Sequence, residues 1–166
     1  EHNGVDIYRT GGAVLSFISP SAQGYGGSTI TQQLVKNLTG DSEVTVKRKL
    51  TEIKRATELE KKKSKSEILE MYLNTVYLSQ GCYGIETAAE KYFEKKASEL
   101  TIAEGASLAA IIQYPTRYDP IASPENNNRR KNIILARMNE LGLLSDDEYH
   151  SALAEKPELK ITQQKS

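Results

Sequence analysis

The chain has 166 residues, enough to bury the core of one domain and few for two. Its 22 basic and 22 acidic side chains cancel, so net charge singles out no nucleic acid, membrane or acidic partner. A lone cysteine, Cys82, excludes an internal disulfide. No run reaches the roughly 18 apolar residues of a membrane helix, and no signal peptide is visible.

Residues 1–25 are weakly patterned. Val14, Leu15, Phe17 and Ile18 cluster ahead of Pro20, which predicts a helix followed by a mobile loop. Gly26 and Gly27 then break the chain, and Ser28 or Thr29 offers a capping hydroxyl. Thr29 with Gln32 has capping-box spacing, so a helix starts here. Ile30, Leu34 and Leu38 recur at i, i+4 and i+8 and give that helix an apolar stripe. Gln33, Lys36 and Asn37 share another face. A helix start flanked by amides and a lysine suits an anionic, hydroxyl-rich ligand, although a well-capped surface helix has the same spacing.

Residues 45–59 are helical by pattern, with Val46, Leu50 and Ile53 on one side. Between residues 45 and 65, nine basic side chains stand against three acidic ones. That surplus suits a pyrophosphate or an anionic membrane surface, and equally a solvated helix face. Ser64 and Glu67 form a second capping box and open a helix to about residue 78, with Ile68, Leu69, Tyr72, Leu73 and Val76 buried. Gly81, Tyr83 and Gly84 turn the chain before a short helix over 85–93. Thr101 and Glu104 cap a small, apolar and therefore central helix running to about residue 113. Prolines 115, 120 and 124 enforce a loop. A helix over 125–141 ends at Gly142, and Ser145 with Glu148 starts the last one, which stops before Pro157. Residues 157–166 read as a linker or tail.

No stretch alternates convincingly with period two, so the fold class is all-α, with one domain over residues 1–156. His2 and His150 lie far apart and Cys82 is alone, so no cluster has metal-ligand spacing. The basic stretch comes with no recognisable nucleic-acid module.

Three motifs carry further meaning: Gly26-Gly27-Ser28-Thr29-Ile30-Thr31-Gln32-Gln33-Leu34-Val35-Lys36-Asn37, Arg48-Lys49-Leu50-Thr51-Glu52, and Lys65-Ser66-Glu67-Ile68-Leu69-Glu70-Met71-Tyr72-Leu73-Asn74. The chain resembles the peptidoglycan glycosyltransferases of family 51, the glycan-polymerising domains of class A penicillin-binding proteins and their monofunctional relatives. Those carry GGSTxTQQxxKN, RKxxE and KxxILExYLN in this order, and three long motifs in register are specific. The similarity continues through residues 88–93, 115–120 and 130–138.

The resemblance implies a lysozyme-like helical lobe, a smaller membrane-facing jaw lobe to which residues 1–25 belong, and a cleft between them. It implies polymerisation of lipid II into glycan strands, with inversion at the anomeric carbon and release of undecaprenyl pyrophosphate, at the extracytoplasmic face of the cell membrane. The implied partners are lipid II, the growing lipid-linked strand, the membrane surface and a following transpeptidase domain, with no nucleic acid.

Such chemistry needs a base for the attacking hydroxyl and groups that stabilise charge on the leaving phosphate. Glu52 matches the second family glutamate, which assists departure of the pyrophosphate; Arg48, Lys49 and Arg55 at helical spacing would hold it ionised. Lys36 matches the lysine that contacts the pyrophosphate. Ser28, Gln32, Gln33 and Asn37 match cleft-lining donors, and Arg48 and Lys49 either bind phosphate or brace Glu52. Glu70, Tyr72 and Asn74 belong to the third motif, where helix packing accounts for them as well as substrate contact does. A loosely held Mg or Mn ion riding on the pyrophosphate near Glu52 is compatible with the family.

Two departures qualify the match. The first family glutamate, the general base of EDxxFxxHxG, falls seven positions before His2 and so ahead of Glu1; the chain reads as an N-terminally truncated, catalytically incomplete piece. Many members carry arginine where this chain has Val44, which leaves Lys47 to substitute or weakens phosphate binding. Ser79 and Glu94 also stand where glycines are usual. An alternative is a non-catalytic homologue that binds lipid-linked precursor or a partner. GGSTxTQQ argues against a lytic enzyme.

Overall fold

A computed structural model describes residues 29–40 and 46–160; within the second span the side chains of Val46, Arg48 and Lys49 lie outside the description. Seven α-helices and one 3-10 turn make up the described residues, and the isolated antiparallel bridge Tyr77–Tyr83 is their one sheet-like pairing. The described fold is helical, as expected. The helix and loop expected over residues 1–25, and the smaller lobe assigned there, fall outside the described residues.

Helix starts follow local chemistry. α1 (Ile30–Thr39) begins where the Thr29 hydroxyl accepts from the Gln32 N–H at 3.2 Å. It ends at Gly40, whose left-handed φ of 62° lets its N–H reach the Lys36 carbonyl. α2 spans Val46–Lys62. α3 (Lys65–Thr75), α5 (Ile102–Ile111) and α7 (Asp146–Ala154) each open with the full reciprocal box, on Ser64 and Glu67, Thr101 and Glu104, and Ser145 and Glu148. α4 is Ile85–Phe93. α6 (Pro124–Glu140) carries its proline in the first turn, where a missing N–H loses nothing, and Gly142 follows its end at φ 69°.

One core cluster joins Ile30 and Leu34 of α1 to Ile68, Leu69, Tyr72 and Leu73 of α3, Tyr92 and Phe93 of α4, and Leu108 and Ile111 of α5. A second joins Ala103, Ala106 and Ala110 of α5 to Ile134, Leu135 and Met138 of α6 and Ala152 of α7. α5 therefore sits between the two. Its alanines let α6 approach closely, which is the physical content of its expected central place.

Two expectations are corrected. α3 stops at Thr75 rather than near residue 78, because Val76 turns extended and the chain folds back. There the Leu78 N–H donates to the Cys82 carbonyl and the Gly84 N–H to the Val76 carbonyl. On α2, Leu50 is 63% exposed and Ile53 41% exposed. The inward stripe is instead Glu52 and Ala56, both buried, with half-buried Leu59 packed on the first core cluster. Apolar periodicity states which residues prefer burial; tertiary packing decided which side of α2 received it.

The turn after α3 is braced from a distance. Ser79, Gln80 and Glu94 are the described non-glycine residues with positive φ, at 63°, 48° and 54°. Two of them are the positions where the related family uses glycine, and the left-handed backbone is the reason glycine suits them. At Ser79 the hydroxyl donates to the Asp119 carboxylate at 2.7 Å, joined by the Gln80 side-chain amide and the backbone N–H groups of Ile121 and Ala122. Burial pushes the Asp119 carboxyl upward, yet these four donors together hold it below the ordinary aspartate range.

The described part of the expected linker, residues 157–160, lies against the lobe. Leu159 packs on the first core cluster and the Lys160 N–H donates to the Tyr92 carbonyl at 2.8 Å. Just before it, the buried Lys131 ammonium donates to the Glu155 carbonyl at 3.0 Å, and the Thr101 hydroxyl to the Glu155 carboxylate.

Candidate active site

α1 packs against both α2 and α3, so it carries the first motif into contact with the helices of the other two. Leu59, one to two turns beyond buried Glu52 and Ala56 on the same side of α2, packs on the core cluster that holds Ile30 and Leu34 of α1. Glu52 lies on that side and is only 6% exposed, an unusual position for a carboxylate in a helix otherwise rich in lysine and arginine. A carboxylate so enclosed has few rotamers, which suits a group that must be placed rather than merely present.

On α1, Ile30, Thr31, Leu34 and Val35 are buried, and Gln33 is half-buried at the edge of that face. Lys36 and Asn37, three and four residues on, are exposed on Gln33's side of the helix. The Gln32 N–H is occupied by the Thr29 hydroxyl and the Gln33 N–H by the Thr29 carbonyl. These two backbone groups serve the helix itself.

Tyr72 supplies the link to the third motif. It is 0% exposed on α3, and its hydroxyl donates to the Gln33 side-chain oxygen at 3.1 Å, across thirty-nine residues of sequence. Burial pushes the phenol up to about 12, so it stays neutral and keeps a proton to donate. Glu70 and Asn74 of the same motif are exposed, so helix packing, which accounts for the Tyr72 ring, does not account for them.

The structure thus brings Gln32, Gln33, Lys36, Asn37 and Glu52 onto two packed helices. Ser28 and Val44 lie outside the described residues, as do the side chains of Arg48 and Lys49, while Arg55 is exposed. Among the described residues no group of three or more His, Cys, Asp or Glu side chains could hold a metal ion. Sequence reasoning missed the Tyr72 hydroxyl as a polar contact; the signal was a single polar tip within the stripe Ile68, Leu69, Leu73.

Comparison with known proteins places the chain in a family. Penicillin-binding protein 1A/1B of Bacillus subtilis (strain 168) is 44% identical over 153 residues, 92% of this chain and 17% of that protein. Penicillin-binding protein 1F of the same organism is 45% identical over 148 residues, 89% of this chain and 21% of that protein. The chain thus spans about a fifth of the length of these curated relatives. A crystal structure of Penicillin-Binding Protein 1A from Haemophilus influenzae matches with a TM-score of 0.56 at 27% identity, over 82% of this chain and 17% of that one. The family model described as Transglycosylase matches residues 1–139. The chain belongs to the transglycosylase family.

Proposed function

We propose that this domain is a peptidoglycan glycosyltransferase of bacterial cell-wall synthesis, polymerising lipid II at the extracytoplasmic face of the cell membrane. The observation that carries the reading is the burial of Glu52 on α2, a helix in contact with α1, which bears Gln32, Gln33, Lys36 and Asn37. Among the described residues no helix is long and apolar enough to cross a membrane. In this reading, a transpeptidase domain accompanies the glycosyltransferase, as the length of the relatives suggests.

In the reaction, a sugar hydroxyl of the acceptor attacks the anomeric carbon of the lipid-linked strand, and the bond from that carbon to the pyrophosphate oxygen breaks. The electron pair leaves on the pyrophosphate, the hydroxyl proton passes to a general base, and the centre inverts. Lys36 meets the leaving charge as a mobile point cation, with amide donors of Gln32, Gln33 and Asn37 beside it. Glu52 organises the leaving-group side, with Arg48 and Lys49 one turn away on its helix. A divalent cation, in this reading, arrives with the donor's pyrophosphate rather than residing in the protein.

The test is polymerisation of lipid-linked disaccharide by three proteins: this chain, a version extended upstream to restore the first glutamate motif, and that version carrying Glu52→Gln. Activity in the extended wild-type form alone supports the reading. An extended form that binds precursor without turnover would replace it with a binding role.

A further inference from the structure

α7 stops at Ala154, where Glu155 turns to extended backbone at φ −70° and ψ 129°. From there burial alternates: Glu155, Pro157 and Leu159 are half-buried, while Lys156, Glu158 and Lys160 are exposed. Period two is the signature of an extended chain lying on a surface. Pro157 suits it, because proline biases the residue before it towards extended backbone and has no N–H to leave unpaired. An extended segment satisfies none of its backbone groups within itself, so the lobe must hold it.

The holding points stand at its two ends. At the start, the Lys131 ammonium of α6 donates to the Glu155 carbonyl at 3.0 Å, and the Thr101 hydroxyl ahead of α5 donates to the Glu155 carboxylate. At the far end, Leu159 packs on the first core cluster and the Lys160 N–H donates to the Tyr92 carbonyl of α4 at 2.8 Å. Lys131 is only 1% exposed, and among the described residues the Glu155 carbonyl is the hydrogen-bond acceptor of its ammonium. A buried ammonium forgoes hydration, which offsets much of what its hydrogen bond gains. Burial accordingly pulls the Lys131 pKa below the ordinary lysine range, with the Glu155 carboxylate pulling the other way. Opening at Glu155 would return water to that charge. The closed arrangement is therefore favoured by a small difference between opposed terms, as a device that opens requires.

We propose that residues 155–160 are a latched strap, which opens as one unit while the helices stay folded and which sets where the chain leaves the lobe. Closed, the chain departs beside α4. Open, the departure point moves back to the end of α7, and the freed segment adds up to about 20 Å of reach. The functional reading above has a transpeptidase domain accompany the glycosyltransferase, and the use of the strap rests on that reading. It is the joint that switches between holding such a domain in a fixed direction and tethering it loosely. The strap itself stands on the contacts at its two ends.

The experiment uses this chain and reads each end of the strap while the other is altered. Native-state amide exchange at increasing urea follows the Lys160 N–H, and brief acetylation with acetic anhydride follows the Lys131 amine. In the unaltered chain both should show a smaller urea dependence than the α5 amides, because opening the strap exposes little surface. Glu155→Ala should speed Lys160 exchange, and Leu159→Ala should speed Lys131 acetylation, each by about tenfold. A variant that folds by circular dichroism but leaves the opposite end unchanged would overturn the proposal in favour of separate contacts. A urea dependence equal to that of the α5 amides would overturn it in favour of opening by global unfolding, and this measurement stands even where a variant fails to fold. An upstream-extended chain that does not polymerise, with the strap opening as expected, would instead overturn the functional reading.

Discussion

Ser79 and Asp119 stand forty residues apart in the chain, and the serine hydroxyl donates to the buried carboxylate at 2.7 Å. That bond holds a left-handed turn immediately after α3, the helix whose Tyr72 reaches the candidate site. A residue that glycine would suit conformationally is thereby tied to the loop ahead of α6.

Ser79 and Glu94 share a left-handed backbone but predict opposite outcomes on substitution by glycine. Left-handed φ costs an L-residue about 1–2 kcal/mol, and a glycine's extra unfolded-state entropy takes back roughly half of that gain. Glu94 is an exposed C-cap of α4, where its negative charge also opposes the helix dipole. Glu94→Gly should stabilise by about 0.5–1 kcal/mol. Ser79→Gly forfeits a hydrogen bond to a charged group, worth about 1.5–3 kcal/mol, and should destabilise by about 1 kcal/mol or more. Urea denaturation of the two variants checks the sign of each.

Asp119 makes the turn sensitive to acid. Its pKa is lowered in the folded protein, so the stability it contributes is present above the ordinary aspartate value of 3.8 and is lost as pH falls through the folded value. Asp119→Asn confronts the Gln80 amide and two backbone N–H donors with a neutral group, and should lose about 2 kcal/mol at pH 7. The gap between wild type and variant should narrow below pH 4 in thermal melts. A gap independent of pH would count against the charged bond.

Gly84 and Gly142 both have positive φ but differ in surroundings. A Cβ on Gly84 would stand 2.6 Å from the Asn74 carbonyl oxygen, whereas one on Gly142 meets nothing within 4 Å. Gly142→Ala should lose about 1 kcal/mol through backbone strain alone. Gly84→Ala adds a collision with backbone at the end of α3 and should lose about 3 kcal/mol or more. Calorimetric midpoints of the pair, ranked in the reverse order, would contradict the packing described for this turn.

Glu52→Gln conserves size in the buried stripe of α2, so the fold should persist with a thermal midpoint within a few degrees of wild type. Turnover by the upstream-extended chain should fall by about 10²–10⁴-fold, the range for loss of a catalytic carboxyl group. Unchanged turnover would remove Glu52 from the chemistry.

The sequence by itself determined the helix starts, because a cap satisfies N–H groups within three or four residues and needs no distant partner. Ser64, Thr101 and Ser145 with their following glutamates are legible for that reason, and so is the glycine stop at Gly142. The three motifs also made the family legible, since residue identity in register is local information. Only the tertiary structure decided which side of α2 turns inward. Leu50 and Ile53 have the better apolar claim, yet Glu52 and Ala56 are buried and Leu59 packs on the first core cluster. Likewise Tyr72 finds Gln33, and Ser79 finds Asp119, only because helices distant in sequence meet. A long-range hydrogen bond depends on where two elements are placed, and that placement is set by how the whole core packs rather than by the pattern of either segment.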